Sequence, residues 1–355
     1  MFEDNYGRLP RAGDYEKRSR TEFFYLSPKP LPTGVVAFSS QQSYKSINSV
    51  FLDYSSGVKG LELAVRVLVG SMVGVAILFA ALNIFISIYS YMYGYFFWIE
   101  LFKNIVNPYM WLVFFFLLMV TVFPLYRHIQ KINNHPPVRF NRQRREVAYV
   151  PKKGQPPLIV PWEEVIACVT VGSVVTEYAV MPSASLMIGL RDSSSGAVAW
   201  LTIPTGHLSL AVSEWEALRV YMEEGPEAVP VTLLTDEEFQ EGTVAYFHMC
   251  REVYREMHAW PVYAFGFLTI QFCSGWTLPC RLAQWVGNQP KAAFPDSIVE
   301  WSKPIPAEQH AQPSPELLQQ SAEVREAFSQ GLNLLEFYNI KFADEDISAT
   351  AEVGR

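Results

Sequence analysis

From Val67 to Ile99, and again from Asn104 to Tyr126, the chain carries no charged side chain. Lipid offers a backbone no hydrogen-bond partner, so only helices and closed barrels cross it, and a helix needs about 20 apolar residues to span roughly 30 Å of hydrocarbon. Val67–Tyr89 and Val106–Tyr126 reach that length, which predicts a two-helix transmembrane hairpin over residues 63–127. Flanking charge sets the expected topology, because Lys and Arg favour the cytoplasmic side. Arg127, Lys131, Arg139, Arg142, Arg144 and Arg145 follow the second run, while Lys45, Lys59 and Arg66 precede the first. The connection holds only Lys103, beside Glu100. Both termini are therefore expected in the cytoplasm. Tyr89, Tyr91, Tyr93, Tyr95, Trp98, Tyr109 and Trp111 crowd the far end as an interfacial belt would. Asn83 is the one strongly polar residue inside the first run, so an anchor is expected rather than a pore.

Gly70 and Gly74 form a small-xxx-small pair, extended by Ala76, Ala80 and Ala81, that lets helices approach closely. Packing of the first span on the second is the expected use, and homodimerisation is the other.

At 355 residues there is room for about two domains besides the hairpin. The net charge of −7 hides an asymmetry, since the juxtamembrane stretch is basic while Glu214–Glu241 and the chain end are acidic. Anionic lipid headgroups are the partner this favours, and no basic, aromatic-interleaved surface for nucleic acid is visible. Cys168, Cys250, Cys273 and Cys280 lack CxxC spacing and fall on the expected cytoplasmic side, so free thiols are anticipated. A mostly polar stretch precedes the first apolar run, so that run is expected to act as an uncleaved insertion signal rather than a signal peptide.

Residues 1–62 read as an N-terminal cytoplasmic segment without period over 1–34, and with one short strand and a surface helix across Val35–Gly60. Pro28–Pro32 reads as an extended linker, with docking as polyproline II the minor alternative. Residues 137–225 carry the clearest pattern. Strands Val138–Phe140 and Glu146–Val150 flank a polar turn; Leu158–Val160, Val165–Val171 and Val174–Val180 follow; Leu186–Leu190 pairs with Val198–Ile203 across a Ser/Asp/Gly turn. Ser213 with Glu216 reads as the capping box of a helix that Gly225-Pro226 ends. Seven antiparallel strands and a C-terminal helix give the order of a pleckstrin-homology-like (PH-like) barrel, with a different small barrel or an α+β sandwich as alternatives. The expected fold class is thus an α+β membrane protein: hairpin, PH-like β domain, then a helical region.

That region, 231–286, opens with a second capping box at Thr235 and Glu238. Ala259–Cys280 is uncharged but broken by Pro261, Gly266, Gly275 and Pro279, so it is read as packed on protein or dipping into the headgroup layer rather than as a third span. Residues 287–355 read as a proline-rich extended run, a helix capped by Ser314 with Pro315 at its first position, and an acidic tail expected to be disordered.

Phosphate-binding loops and the GxGxxG, HExxH and GxSxG motifs do not occur, and no catalytic residue or cofactor is expected. His248, Glu252, Glu256 and His258 are read as a solvated helix face rather than metal ligands, and Asp192 with Ser193, Ser194 and Ser195 as turn chemistry. The cluster with functional content is Arg139, Arg142, Arg144 and Arg145, with Lys152 and Lys153 beyond. In PH-like domains the first strand pair often supplies a basic rim for anionic headgroups. Four exposed cations would attract an anionic leaflet by up to roughly 4 kcal/mol. The positive-inside rule alone also accounts for them.

The hairpin, the run Val138-Arg139-Phe140-Asn141-Arg142-Gln143-Arg144-Arg145-Glu146-Val147, and Pro161-Trp162-Glu163-Glu164-Val165 further on resemble an uncharacterised family of Gram-negative two-span membrane proteins over about residues 60–230. Its members are often encoded near type VI secretion components. The resemblance implies a multi-pass protein of the bacterial inner membrane that binds a toxin or a secretion component, as an immunity or accessory protein. The alternatives are a membrane-perturbing effector and a lipid-reading scaffold; each is a binding role rather than an enzymatic one.

Overall fold

The computed structural model describes residues 10–19, 21–39, 44–54, 61–134, 136–151, 155–175, 180–229, 242–289 and 292–341. Lys59, Lys152, Lys153, the Thr235–Glu238 capping box and the acidic tail from 342 lie outside the described residues, as does the side chain of Lys131. The chain divides into two interleaved units, one of residues 1–57, 135–233 and 292–355, the other of residues 58–134 and 234–291.

Among the described residues, the first unit holds ten strands in two antiparallel sheets. One runs β1 (Tyr15–Arg18), β2 (Thr21–Ser27), β8 (Ile166–Val175), β9 (Val180–Arg191), β10 (Val198–Pro204). The other runs β3 (Tyr44–Ile47), β4 (Phe51–Tyr54), β5 (Val138–Asn141), β6 (Glu146–Tyr149), β7 (Leu158–Pro161). The sheets do not close, which corrects the seven-stranded barrel. Each gains a strand pair from the N-terminal segment, through β2 on β8 and β4 on β5. Those pairs replace the unpatterned segment expected over 1–34 and give two strands where one was expected within Val35–Gly60; residues 55–60, where the surface helix would lead to the first span, lie outside the described residues. Pro30, Leu31 and Pro32 are buried, so that stretch is part of the core rather than a linker. Gly172-Ser173 lies inside β8, paired with Pro182 and Ser183, and is not a turn.

A helix, α4 (Leu208–Glu223), packs on β8 and β9. It begins before the Ser213–Glu216 pair; its N-cap His207 provides no side-chain bond, and Glu216 accepts instead from Thr33 and Arg219. Gly225 ends it at φ +110°, donating to the Val220 and Tyr221 carbonyls. Trp215 of α4 lies 5.1 Å from Trp162, whose ring meets Phe140 of β5 at 6.0 Å, so aromatic contacts join the second sheet to the helix. Further on, α9 (Asp296–Trp301) and α10 (Pro315–Ser329) follow, the latter capped by Ser314 as its sequence predicts.

The second unit contains α1 (Leu61–Met92), α2 (Phe97–Val106) and α3 (Pro108–Asn134). Both α1 and α3 are long and apolar enough to cross a membrane, and 6% and 0% of their most apolar windows are buried within the fold. A core helix of that composition would hide its apolar stripe against protein; these leave theirs outside. The unit continues with α5 (Val244–Met257), a short α6 (Trp260–Val262), a π-helical turn (Tyr263–Leu268), α7 (Thr269–Cys273) and α8 (Leu278–Gly287). Ala259–Cys280 is thus a bent arm with a turn at 274–276, not one straight span.

Candidate functional site

Strand β5 decides where the arginines go. Alternation sends Val138 and Phe140 to the core and Arg139 with Asn141 to the opposite face, yet all four are buried. The opposite face is covered by α9 and the chain before it. Arg139 stands directly across from Asp53 of β4 and grips it with two bonds of 2.6 and 2.7 Å. It also donates to Ser302 Oγ at 2.8 Å. Its guanidinium lies between two rings, 3.8 Å from Phe51 and 4.1 Å from Phe294. This geometry suits Arg and not Lys, since it uses a planar fork that both chelates and stacks.

The turn after β5 continues the pattern. Arg144 donates from Nε to the Trp301 carbonyl at 2.9 Å, and Asn141 donates to the same oxygen, so together they satisfy the end of α9. Arg145 sits at φ +51° and turns back into the fold. It forms two 2.8 Å bonds with Glu223 of α4 and a 3.3 Å contact with Glu163. Glu223 also accepts from Trp162 Nε1 at 2.9 Å. Arg139 and Arg145 are each 8% exposed. They clamp the fold and present no cationic rim.

Arg142 is different. Its backbone N–H donates to the Val50 carbonyl, but its Nε has no hydrogen-bond partner among the described residues. It edges a cavity of about 140 Å³ shared with Gln143, Glu223 and His310. Ligand pockets run to about 300–1,000 Å³, so this one suits an ion or a side chain from a partner better than a metabolite.

The other sequence-marked residues are placed as follows. A side chain added at Gly70 or Gly74 would meet nothing within 4 Å, so this pair does not form the α1–α3 contact within the chain. That contact runs instead through Phe79, 5.4 Å from Trp111 and 5.1 Å from Phe114. Asn83 and Ser87 are buried beside it, and Asn104 of α2 donates to Ser87. His258 stacks on Tyr254 at 4.0 Å, and no group of three metal-ligating side chains occurs among the described residues. Asp192 accepts from Ser194 and Ser195, whose hydroxyls hold its carboxyl down at about 2. Burial pushes the thiols of Cys168 and Cys280 up to about 12 and about 11.

One cluster was not anticipated. Arg66, at the start of α1, pairs with Glu62, donates to Gln271 Oε1 at 2.5 Å and to the Trp276 carbonyl at 3.2 Å, and lies 5.2 Å from the Phe247 ring. It marked itself only as the last charge before the apolar run.

Fold and site together define a mixed α+β protein carrying two apolar helices and an internally paired arginine hairpin. Residues 115–313 match a family of unknown function (DUF6708), and the chain belongs to that family. Neither a curated protein nor a solved structure matches it.

Proposed function

We propose that this chain is a non-catalytic binding protein anchored in the bacterial inner membrane by α1 and α3, with both termini cytoplasmic. The observation that carries the reading is the almost complete exposure of the apolar windows of the two long helices. Hydrocarbon is the environment that such surfaces fit. The first unit, with its two sheets, then stands on the cytoplasmic side as the binding module for a toxin or a secretion component of the type the resemblance implies. The polar groups of the arginine hairpin support binding over chemistry, because Asp53, Glu163 and Glu223 are occupied by cations that hold elements together.

Anionic lipid remains a partner in this reading, through Arg142 and Arg144. With Arg139 and Arg145 neutralised inside the fold, the attraction falls from roughly 4 to about 2 kcal/mol. The homodimer stays with the Gly70–Gly74 face, which the chain leaves open.

The test is genetic and biochemical. Deleting the gene should expose the cell to killing by sibling cells, and the detergent-solubilised chain should capture one specific protein. Toxicity on expression, with no loss of protection on deletion, would replace this account with a membrane-perturbing effector. The exposed aromatics of the 259–280 arm favour that second reading.

A further inference from the structure

The arm from Trp260 to Cys273 has two unlike faces. Phe267 is buried toward α5, 5.9 Å from Phe247 and 5.3 Å from Tyr254. The opposite side shows Val262, Phe265, Thr269 and Phe272, recurring at i, i+3, i+7 and i+10, the spacing of one helical stripe. Phe265 is 74% exposed and Phe272 78%, with Trp260 at 73% where the arm begins. Three large aromatics in water on one short element need an occupant for that face.

Its position within the second unit names the occupant. Gln271 and the Trp276 carbonyl hold Arg66, the last charge of α1 before its apolar run. Gly275 abuts Val69, which at 1.5 Å per residue lies about 4.5 Å further into that run. The end of the arm is therefore level with the point where α1 leaves charged surroundings, and its apolar stripe continues the apolar surface of α1. Crossing is excluded by its attachments. The arm spans about 21 Å of helix against roughly 30 Å of hydrocarbon, and Phe267 ties it along α5, whose Glu252, Arg255 and Glu256 are exposed.

We propose that Trp260–Cys273 is an interfacial arm that inserts Trp260, Phe265 and Phe272 into the boundary between headgroups and acyl chains of the leaflet that α1 enters at Arg66. The proposal rests on the anchor reading of α1 and α3. The arm adds a second, monolayer contact that fixes the tilt of α1 through Arg66, and its occupant is lipid rather than protein.

The full chain, with Cys250→Ser and Cys273→Ser, is reconstituted in vesicles of phosphatidylethanolamine and phosphatidylglycerol. Spin labels are placed singly by Phe265→Cys, Phe272→Cys, Leu112→Cys on α3 and Glu256→Cys on α5, and collision with oxygen is compared with collision with a soluble nickel chelate. Positions 265 and 272 are expected to favour oxygen over nickel more than 256 does and less than 112. Water-like values at 265 and 272 with a lipid value at 112 overturn the arm and leave the anchor standing. Water-like values at 112 as well overturn both. Midplane values at 265, with a C-terminal reporter on the far side, overturn the arm in favour of a third span.

Discussion

Replacing Arg139 by Met should cost the β4–β5–α9 region about 3–5 kcal/mol. Arg139 is 8% exposed, its carboxylate partner Asp53 is 6% exposed, and the pair shares two bonds of 2.6 and 2.7 Å. Removing one member leaves a buried charge with nothing to offset its lost hydration, which carries that magnitude. The pair itself is worth much less, because two desolvated ions can often be replaced by packed apolar groups with little net change. Asp53→Leu should therefore be as harmful alone, while Arg139→Met with Asp53→Leu should recover most of the loss. A chain of two units need not unfold in one step, so local hydrogen exchange is the suitable assay. Peptides covering Phe51–Tyr54, Val138–Asn141 and Asp296–Trp301 should exchange about 150-fold faster or more in each single variant, since every 1.4 kcal/mol is tenfold. Unchanged exchange in the single variants, with binding to anionic vesicles lost instead, would refute the clamp and restore Arg139 to a lipid-facing rim.

Arg145→Met should cost about 2–4 kcal/mol around α4, because Glu223 loses its cation and keeps only the Trp162 indole N–H in a mostly buried site; faster exchange across 213–223 checks it. Arg142→Gln should leave exchange in the first unit unchanged, since its guanidinium is in no ion pair among the described residues, and instead weaken vesicle binding in a salt-dependent way. A maleimide should label Cys250 and Cys273 in intact membranes but not Cys168 or Cys280. The last two are buried and their raised pKa leaves too little thiolate to react at neutral pH. Reactivity should appear only as pH climbs toward about 12 at Cys168 and about 11 at Cys280, or as the chain unfolds, which mass spectrometry of the adducts reads.

What could be read ahead of the structure was whatever local chemistry writes. The apolar runs of α1 and α3, the polar turn after Asn141, the Asp192 turn and the Ser314 cap each need only neighbours in sequence. Strands β2 and β4 needed distant partners, and β1 and β3 pair only with them. Leu52 pairs with Phe140 and Phe24 with Val169, and the strands are four to seven residues long, too short for period alone to reveal. Ser213 and Glu216 have the spacing of a capping box inside a helix that had already started at Leu208, because Glu216 is claimed by Thr33 from far away. The arginine cluster failed for the same reason. Asp53 lies 86 residues before Arg139 and Glu223 78 residues after Arg145, so nothing nearby distinguished a solvated basic rim from a set of buried clamps. The hairpin arginines sit where any juxtamembrane charge would, and only the fold shows that two of them face inward.

The central claim is that α1 and α3 form a two-span anchor with the first unit on the cytoplasmic side. A dual alkaline phosphatase–β-galactosidase reporter inserted after Gly94, between α1 and α2, and separately fused after Arg355, tests it most directly. The account predicts phosphatase activity at Gly94 and galactosidase activity at Arg355, with the chain retained in membranes after alkaline extraction. Galactosidase activity at both positions, or release of the chain by alkali, would contradict it.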